Sequence, residues 1–365
     1  MKKLAVLAAI ATVASVNAAE TKMNLKGRFD YVNKETKETG EKTLTAGEYQ
    51  ASYLRWKTTS KLNDTTSAEL TLNFAEAATG VNSDKTLTNF VDTAFLTKSF
   101  GNGLSVMVGK QAALVGGREN DWSSADMYGK SIFNQQLPSN LIGLSVGYSV
   151  AGQDFYLQHL EGENSTEKTL TVDLDLDGDN DTIGMQQLKD KKVTGVAWYG
   201  NLMNDMIKPI ASYHKVGTDR AGQYDTIMAI GAQVNWQSLV FELDYLSRTN
   251  ENAGRNADDT AVADREINSI VAHVRYAHDM YRPFAKYVME TIEGDSATAG
   301  SYSEVENTMM ELGLEIVPNK DEDFRYHVVY SASTLEDSKK SPGVTAGYKL
   351  EETKIFAGIK FGLNL

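Results

Sequence analysis

The chain has 365 residues, five prolines, no cysteine and a formal net charge of −13. The acidic charge argues against nucleic acid as a partner, because binding phosphates requires a basic surface. The lack of cysteine excludes disulfides, so stability must come from a large core or from a closed network of hydrogen bonds. No change in composition marks a linker, and we expect one domain after the first residues.

Residues 1–18 have the features of a secretory signal peptide. A basic start, MKK, precedes the apolar run LAVLAAIATVASV, and the small-x-small pattern of Val16, Asn17 and Ala18 follows. The apolar run is shorter than the roughly 20 residues that a membrane-spanning helix needs. We expect cleavage after Ala18, which leaves a mature domain of residues 19–365 with 34 basic and 49 acidic residues, a net charge of −15.

Apolar and polar residues alternate over many short segments, as they do in strands whose two faces meet different environments. In the first segment, apolar Met23, Leu25, Phe29 and Tyr31 alternate with polar Asn24, Lys26, Arg28 and Asp30. The same pattern recurs in residues 239–245, 269–276 and 324–331, and in the final stretch KIFAGIKFGLNL. These segments predict an all-β fold.

The predicted connections alternate between short and long along the chain. The seven short ones are Asn63–Thr65, Gly101–Gly103, Ala151–Asp154, Gly200–Met206, Trp236–Ser238, His278–Arg282 and Pro318–Asp323. The eight long ones are Asn33–Gly47, Glu76–Thr88, Gln111–Asn140, Gly162–Lys192, Val216–Tyr224, Arg248–Glu266, Gly294–Ser303 and Leu335–Val344. Fifteen connections join sixteen strands. A β-sandwich should have turns of similar length at both ends, so the pattern favours a 16-stranded antiparallel transmembrane β-barrel with short periplasmic turns and long extracellular loops.

One stretch in the fourth long connection, TVDLDLDGDNDT, has an aspartate at every second position. Asp173, Asp175, Asp177 and Gly178 match the first half of a calcium-binding EF-hand loop, but its twelfth position is Gly184 rather than Glu. Neither flank has the periodicity of a helix. We interpret the stretch as a solvated charged loop, and a weak divalent-cation site stays open as an alternative.

Two patterns of catalytic or metal-binding type occur in unsuitable contexts. Gly143 to Gly147 matches G-x-S-x-G, but Ser145 lies within an alternating run without the following helix that a nucleophile elbow requires. The five histidines are dispersed, without the spacing of metal ligands. The sequence therefore predicts no enzyme, no metal site and no cofactor.

Four stretches resemble the general diffusion porin family of Gram-negative outer membranes. They are ASYLRWKTTSKLNDTTSAELTLNF (Ala51–Phe74), FLTKSFGNGLSVMVGKQ (Phe95–Gln111), LPSNLIGLSVGYS (Leu137–Ser149) and YRPFAKYV (Tyr281–Val288). The chain departs from the family at its last residue, which is Leu365 where an aromatic residue is usual.

The resemblance implies a homotrimeric, water-filled channel for passive diffusion of small hydrophilic solutes and ions, in contact with outer-membrane lipid and lipopolysaccharide. In such porins the second loop, here Glu76–Thr88, reaches over a neighbouring subunit. The third loop, here residues 111–140, folds into the lumen and forms the constriction.

By this resemblance, charged residues on two facing walls would line the constriction. The third loop carries Arg118, Glu119, Asp121 and Asp126, and Arg55, Lys57 and Lys110 would face it. Opposed acids and bases at a narrow point govern ion selectivity, and the net charge of −15 favours a mild cation preference. The alternative for these residues is that they are ordinary lumen or surface charges. The alternatives for the function are a structural or adhesive barrel with a largely plugged lumen, or a substrate-specific channel.

Overall fold

A computed structural model describes residues 20–39, 41–75, 90–123, 125–138, 140–161, 170–172, 181–183, 192–217, 224–250, 265–295, 302–319, 322–337 and 349–364. The predicted signal peptide, the whole predicted second loop (Glu76–Thr88), and Asp173, Asp175, Asp177 and Asp179 lie outside these ranges. Their roles stay predictions.

Sixteen antiparallel strands close into one barrel, as predicted. The strands of the barrel are β1 (Glu20–Glu38), β2 (Glu41–Asn63), β3 (Thr66–Asn73), β4 (Val91–Ser99), β5 (Leu104–Ala112), β6 (Asn140–Val150), β7 (Gln153–Glu161), β10 (Lys192–Gly200), β11 (Ile207–Gly217), β12 (Tyr224–Trp236), β13 (Leu239–Asn250), β14 (Arg265–Tyr276), β15 (Tyr281–Asp295), β16 (Tyr302–Ile316), β17 (Asp323–Asp337) and β18 (Lys349–Asn364). Each strand pairs with its neighbours in the chain, except that β7 pairs with β10 and β1 closes the barrel on β18.

The alternation in sequence becomes a division between the outer and inner surfaces of the barrel. In β13, Phe241, Leu243 and Tyr245 are exposed on the outside, whereas Glu242 and Asp244 are buried inside. An apolar outer surface and a polar interior are what a transmembrane barrel requires. In the described residues, no helix is long and apolar enough to cross a membrane.

The first connection differs from the prediction. Asn33–Gly47 was predicted as a long loop, but β1 and β2 stay paired as far as Glu38 and Glu41. Ion pairs across this polar hairpin, such as that of Lys42 with Glu35 at 2.8 Å, stabilise strands that carry no apolar face. Because these strand ends are charged, a prediction based on the alternation of apolar and polar residues did not find that β1 and β2 extend so far.

The fourth connection contains two short strands of its own. These strands, β8 (Leu170–Val172) and β9 (Asp181–Ile183), pair antiparallel outside the barrel. The Asp-rich stretch thus begins and ends on a hairpin. In the described part of the chain, no group of three or more histidine or acidic residues could hold a metal ion.

Residues 113–139, named here the inner loop, connect β5 to β6. They include two helical turns, α1 (Arg118–Asp121) and α2 (Ile132–Gln135). Their side chains contact inward-facing residues of β1, β13, β15 and β18, as detailed below, which places the loop inside the barrel.

Candidate functional site

The inner loop is attached to the part of the wall that lies across the lumen from β5 and β6. The Arg118 guanidinium donates through Nη2 to the carbonyl oxygens of Lys208, at 2.6 Å, and Pro209, at 3.1 Å, on β11. From β1, Arg28 donates through Nη1 to the carbonyls of Met127, at 2.7 Å, and Ala125, at 3.0 Å. The attachment therefore extends around the wall from β11 to β1.

Glu119 is buried and anchors α1. Its Oε1 lies 2.5 Å from Lys286 Nζ on β15, and its carboxylate accepts the backbone N–H of Ser131 at 3.0 Å and the Ser131 hydroxyl at 2.5 Å. Burial acts to raise the pKa of Glu119, but the charge of Lys286 and these hydrogen bonds outweigh it and hold the pKa below its usual value. A paired carboxylate in this position holds the loop in place.

Two carboxylates of the wall accept backbone N–H groups from the loop. Asp244 Oδ2 accepts the N–H of Glu119 at 2.9 Å, and Glu290 accepts those of Ile132, at 2.8 Å, and Phe133, at 2.9 Å. The first N–H groups of a helix have no partner within the helix, so these contacts satisfy donors that burial would otherwise leave unpaired.

Asp126 connects the loop to β18 and β17. Its Oδ1 binds Lys360 Nζ, which also binds Glu315, and lies 3.9 Å from Arg325 Nη1. Burial acts to raise the pKa of Asp126, but Lys360 and Arg325 lower it on balance. The carboxylate is thus ionised and held, while its side chain keeps 35% of its surface exposed.

An aromatic residue of the loop fills the space beside Asp126. The Tyr128 ring stacks on Phe284 with centroids 5.7 Å apart, and the Arg28 guanidinium lies 4.5 Å from its centroid. His327, 5.1 Å away, is held in turn by Asp30, whose Oδ1 lies 2.6 Å from Nε2 of the imidazole. The loop is therefore packed as well as ion-paired.

Asp121 pairs with a base of the loop itself rather than with a base of the wall. Its Oδ2 accepts from Arg118 Nη1 at 3.0 Å, and its side chain is 35% exposed. Burial raises the pKa of Asp121 to about 6, although Arg118 opposes the shift. The next residue, Trp122, places its ring 3.7 Å from that of His273 on β14.

An apolar cluster lies beneath the loop on the inner surface. Val115, Phe133 and Leu137 of the loop pack there against inward-facing residues of the wall. The buried wall residues are Leu160, Val193, Val216, Ile227, Ala229, Leu246, Ile267, Val271, Val288, Ile292, Val305, Met309 and Leu335. These side chains occupy an interior that alternation alone would make polar.

The inner surface of β2, β3 and β4 carries ion pairs instead. Arg55 Nε lies 2.5 Å from Asp92 Oδ2, and Lys57 Nζ lies 2.7 Å from Glu69 Oε2. Arg55 is paired in register with Lys26, and Tyr53 with the inward-facing Arg28, so these residues share the inner face. The side chains of Arg55 and Lys57 are 30% and 49% exposed.

Lys110 lies on the other face of its strand. It lies two residues after the outward-facing Val108 and therefore on the same face. Gln111 points inward and donates to the carbonyl of Gly143 at 3.1 Å. Lys110 Nζ donates to the carbonyl of Val91 at 2.6 Å. The structure thus places Arg55 and Lys57 on the inner wall, and Glu119 and Asp126 against other bases, but it does not bring Lys110 to the inner loop.

Ser145 of the G-x-S-x-G match lies in the middle of β6. Its hydroxyl donates to Gln111 Oε1 and accepts from Gln158 Nε2 at 2.9 Å. This buried network links three adjacent strands, and there is no strand-to-helix turn at Ser145.

Several residues that hold the inner loop were missed by the sequence analysis. They are Arg28, Asp244, Lys286, Glu290, Arg325 and Lys360, together with Asp92 and Glu69 on the facing wall. A signal was available on β15, where Arg282, Lys286 and Glu290 recur on one face of a strand. Charged residues on the inner face of a barrel strand require partners, and the inner loop supplies them for Lys286 and Glu290.

No protein-family model and no curated protein matches the sequence. Solved structures match nearly the whole chain. The outer-membrane channel DcaP of Acinetobacter baumannii matches with a TM-score of 0.61 at 11% identity, over 94% of this chain and 96% of that one. The chain has the fold of an outer-membrane porin. An anion-selective porin from Comamonas acidovorans matches with a TM-score of 0.56 at 14% identity, over 94% of this chain and 100% of that one.

A third match is the trimer form of OmpT, an outer membrane protein of Vibrio cholerae. It has a TM-score of 0.56 at 10% identity, over 93% of this chain and 99% of that one. At these identities the likeness shows the fold alone.

Proposed function

We propose that this protein is an outer-membrane channel through which small hydrophilic solutes and ions diffuse passively, and that it is not an enzyme. The observation that carries the proposal is the asymmetric attachment of the inner loop. The loop is bound to the wall from β11 around to β1. On the facing wall, β2 presents the half-exposed Arg55 and Lys57 to the interior, paired with Asp92 of β4 and Glu69 of β3. A polar path between the loop and these strands fits a water-filled passage.

We propose that the constriction lies between Asp121 and Asp126 of the inner loop and Arg55 and Lys57 of the facing wall. Each of these four side chains keeps at least 30% of its surface exposed. Arg118 and Glu119 are proposed to fix the loop that carries the two acidic residues rather than to line the constriction. Lys110 is left out, since it lies on the outward-facing side of β5.

A mild cation preference is proposed from the acidity of the whole chain. The charges along the passage are largely paired, so they leave little local bias. The mature net charge of −15 draws cations toward the channel mouths, an effect that salt screens.

Export by residues 1–18, residence in the Gram-negative outer membrane and assembly as a homotrimer belong to the same proposal. The apolar outer surface would contact lipid and lipopolysaccharide. The trimer form of Vibrio cholerae OmpT supports trimeric assembly for this fold.

A structural or adhesive barrel with a plugged lumen is a second candidate. The apolar cluster beneath the inner loop favours it, because water does not fill an apolar interior. The two candidates differ in whether small solutes cross.

Liposome swelling tests the proposed function directly. Proteoliposomes that contain the folded protein should swell in isotonic solutions of small sugars and swell more slowly as the sugar becomes larger. Liposomes with boiled protein serve as the control. Folded protein that gives no swelling with any sugar would favour the plugged barrel.

A further inference from the structure

Two arginines on the inner face of β14 and β15 form no side-chain hydrogen bond or ion pair in the part of the chain that the structure describes. Arg275 and Arg282 each lie one residue inside the strand end, at the short turn that joins these strands. Arg275 pairs in register with Phe284, two residues from Arg282 on the same face. Their side chains are therefore diagonal neighbours at about 7–8 Å between backbones, within reach of each other.

The acids around these arginines are already bound to other bases. Glu315, which opposes Arg282 in register, binds Arg325 at 3.0 Å and also Lys360. Asp323 binds Arg325 at 2.9 Å, and Asp126 binds Lys360. Positive charge is therefore in excess at Arg275 and Arg282.

The two guanidiniums are also half-buried, and the Nε atom of Arg282 is fully buried without a hydrogen-bond partner in the described structure. Arg282 interacts electrostatically with Arg275 and Arg325, which repel it, and with Glu315 and Asp323, which attract it. Like charges gathered in a partly dry site are unfavourable unless an anion or water compensates them. Guanidinium groups bind oxyanions through paired, parallel N–H donors, which makes a phosphate group the best match.

We propose that Arg275 and Arg282 form an oxyanion-binding subsite at the turn end of the lumen, which takes the phosphate group of a solute. Arg325 and Lys360 lie beside it and engage the neighbouring acids Glu315, Asp323 and Asp126. The subsite assigns a solute class to the proposed channel, and its role in transport rests on that function. Binding itself requires only the folded barrel.

Titration calorimetry with inorganic phosphate on the folded, detergent-solubilised protein in a phosphate-free buffer tests the binding. The wild type should show saturable binding, and R275Q/R282Q should weaken the affinity about tenfold or more. R275K/R282K keeps the charges but loses the paired donors, so its phosphate affinity should lie between those of the wild type and R275Q/R282Q. The matched control, K22Q/K61Q, removes two positive charges from the same end of the barrel on β1 and β2 and should bind within about twofold of the wild type.

Current measurements then separate the subsite from the channel. Phosphate should reduce the chloride current of the wild type, and the half-blocking concentration should rise about tenfold in R275Q/R282Q. Binding by calorimetry in a protein that carries no current would keep the subsite and overturn the proposed function. Absence of saturable binding in the wild type, equal affinity in R275Q/R282Q, or an equal loss in K22Q/K61Q would overturn the subsite. Each variant's folding is verified by its shift in gel mobility on boiling, and the single variants R275Q and R282Q provide the same test if the double variant does not fold.

Discussion

Glu119 and Lys286 form an ion pair that water hardly reaches, with side chains 1% and 2% exposed. Removing one member of such a pair leaves a buried charge without a partner, which costs about 3–5 kcal/mol. We expect Glu119→Ala to release α1 from the wall, lower the temperature at which the gel-mobility shift occurs, and change the single-channel conductance.

A matched variant for Glu119→Ala is Glu69→Ala, which breaks the half-exposed pair with Lys57. Exposed pairs contribute about 0–1 kcal/mol, so the thermal transition of this variant should stay near that of the wild type. Equal transitions in the two variants would mean that Glu119 does not anchor the loop.

We expect Asp121 to give the proposed channel a pH dependence in the mildly acidic range. Because its pKa is raised to about 6, the folded state binds a proton more tightly than the unfolded state, and this group's contribution to the free energy of unfolding falls as pH rises from about 4 to 6. Between pH 7 and pH 5 the loop loses this negative charge. The reversal potential in a potassium chloride gradient should therefore shift toward anions, and Asp121→Asn should already have the shifted value at pH 7. An unchanged pH response in Asp121→Asn would rule out this assignment.

The side of a strand on which a residue lies could be predicted from the sequence, whereas the residue with which it pairs could not. A two-residue period from Val108 places Lys110 on the outside of β5, but the family resemblance had suggested the lumen. The partner of Glu119 is Lys286, 167 positions along the chain, and no local pattern specifies that contact. The contacts of the inner loop depend on closure of the barrel, because closure makes strands that are far apart in the sequence face the same lumen.

The element that decides between a channel and a plugged barrel is the inner loop. Phe133 on α2 is fully buried in the apolar cluster, and replacing a buried Phe by Ala costs about 3–5 kcal/mol. We expect Phe133→Ala to loosen the loop and increase open-channel current noise.

Gln135 lies on the same helical turn but is exposed, and Gln135→Ala provides the matched control. Its current noise should equal that of the wild type. A Phe133→Ala channel as quiet as the control would show that the apolar cluster does not hold the loop.

Most strands were predictable because an apolar outer surface and a polar interior impose a two-residue period. The length of the β1–β2 hairpin was underestimated, since its outer part has charged residues on both faces and therefore lacks that period. The resemblance to porins predicted an inserted loop at residues 111–140, but the two helical turns within it were not predicted. These turns are four residues each, too short to show helical periodicity.

For the whole molecule, closure of the barrel leaves no strand edge from which unfolding can start. We expect the protein to stay folded in detergent and to show a β-type circular dichroism spectrum. Its migration on a denaturing gel should differ before and after boiling. Identical mobility of the two samples would be inconsistent with the closed barrel.

Trimeric assembly is tested by chemical cross-linking in mild detergent. The proposed homotrimer should give a band at three times the monomer mass in unheated samples. A monomeric mass by light scattering, with no cross-linked product, would contradict this assembly.

The central claim is that a polar passage runs between the inner loop and β2, β3 and β4 of a folded barrel. Single-channel recording in planar bilayers measures that passage. The account predicts stable, ohmic current steps that close in three equal levels, from protein whose gel mobility shifts on boiling. Folded protein that inserts into the bilayer and carries no current would contradict the account.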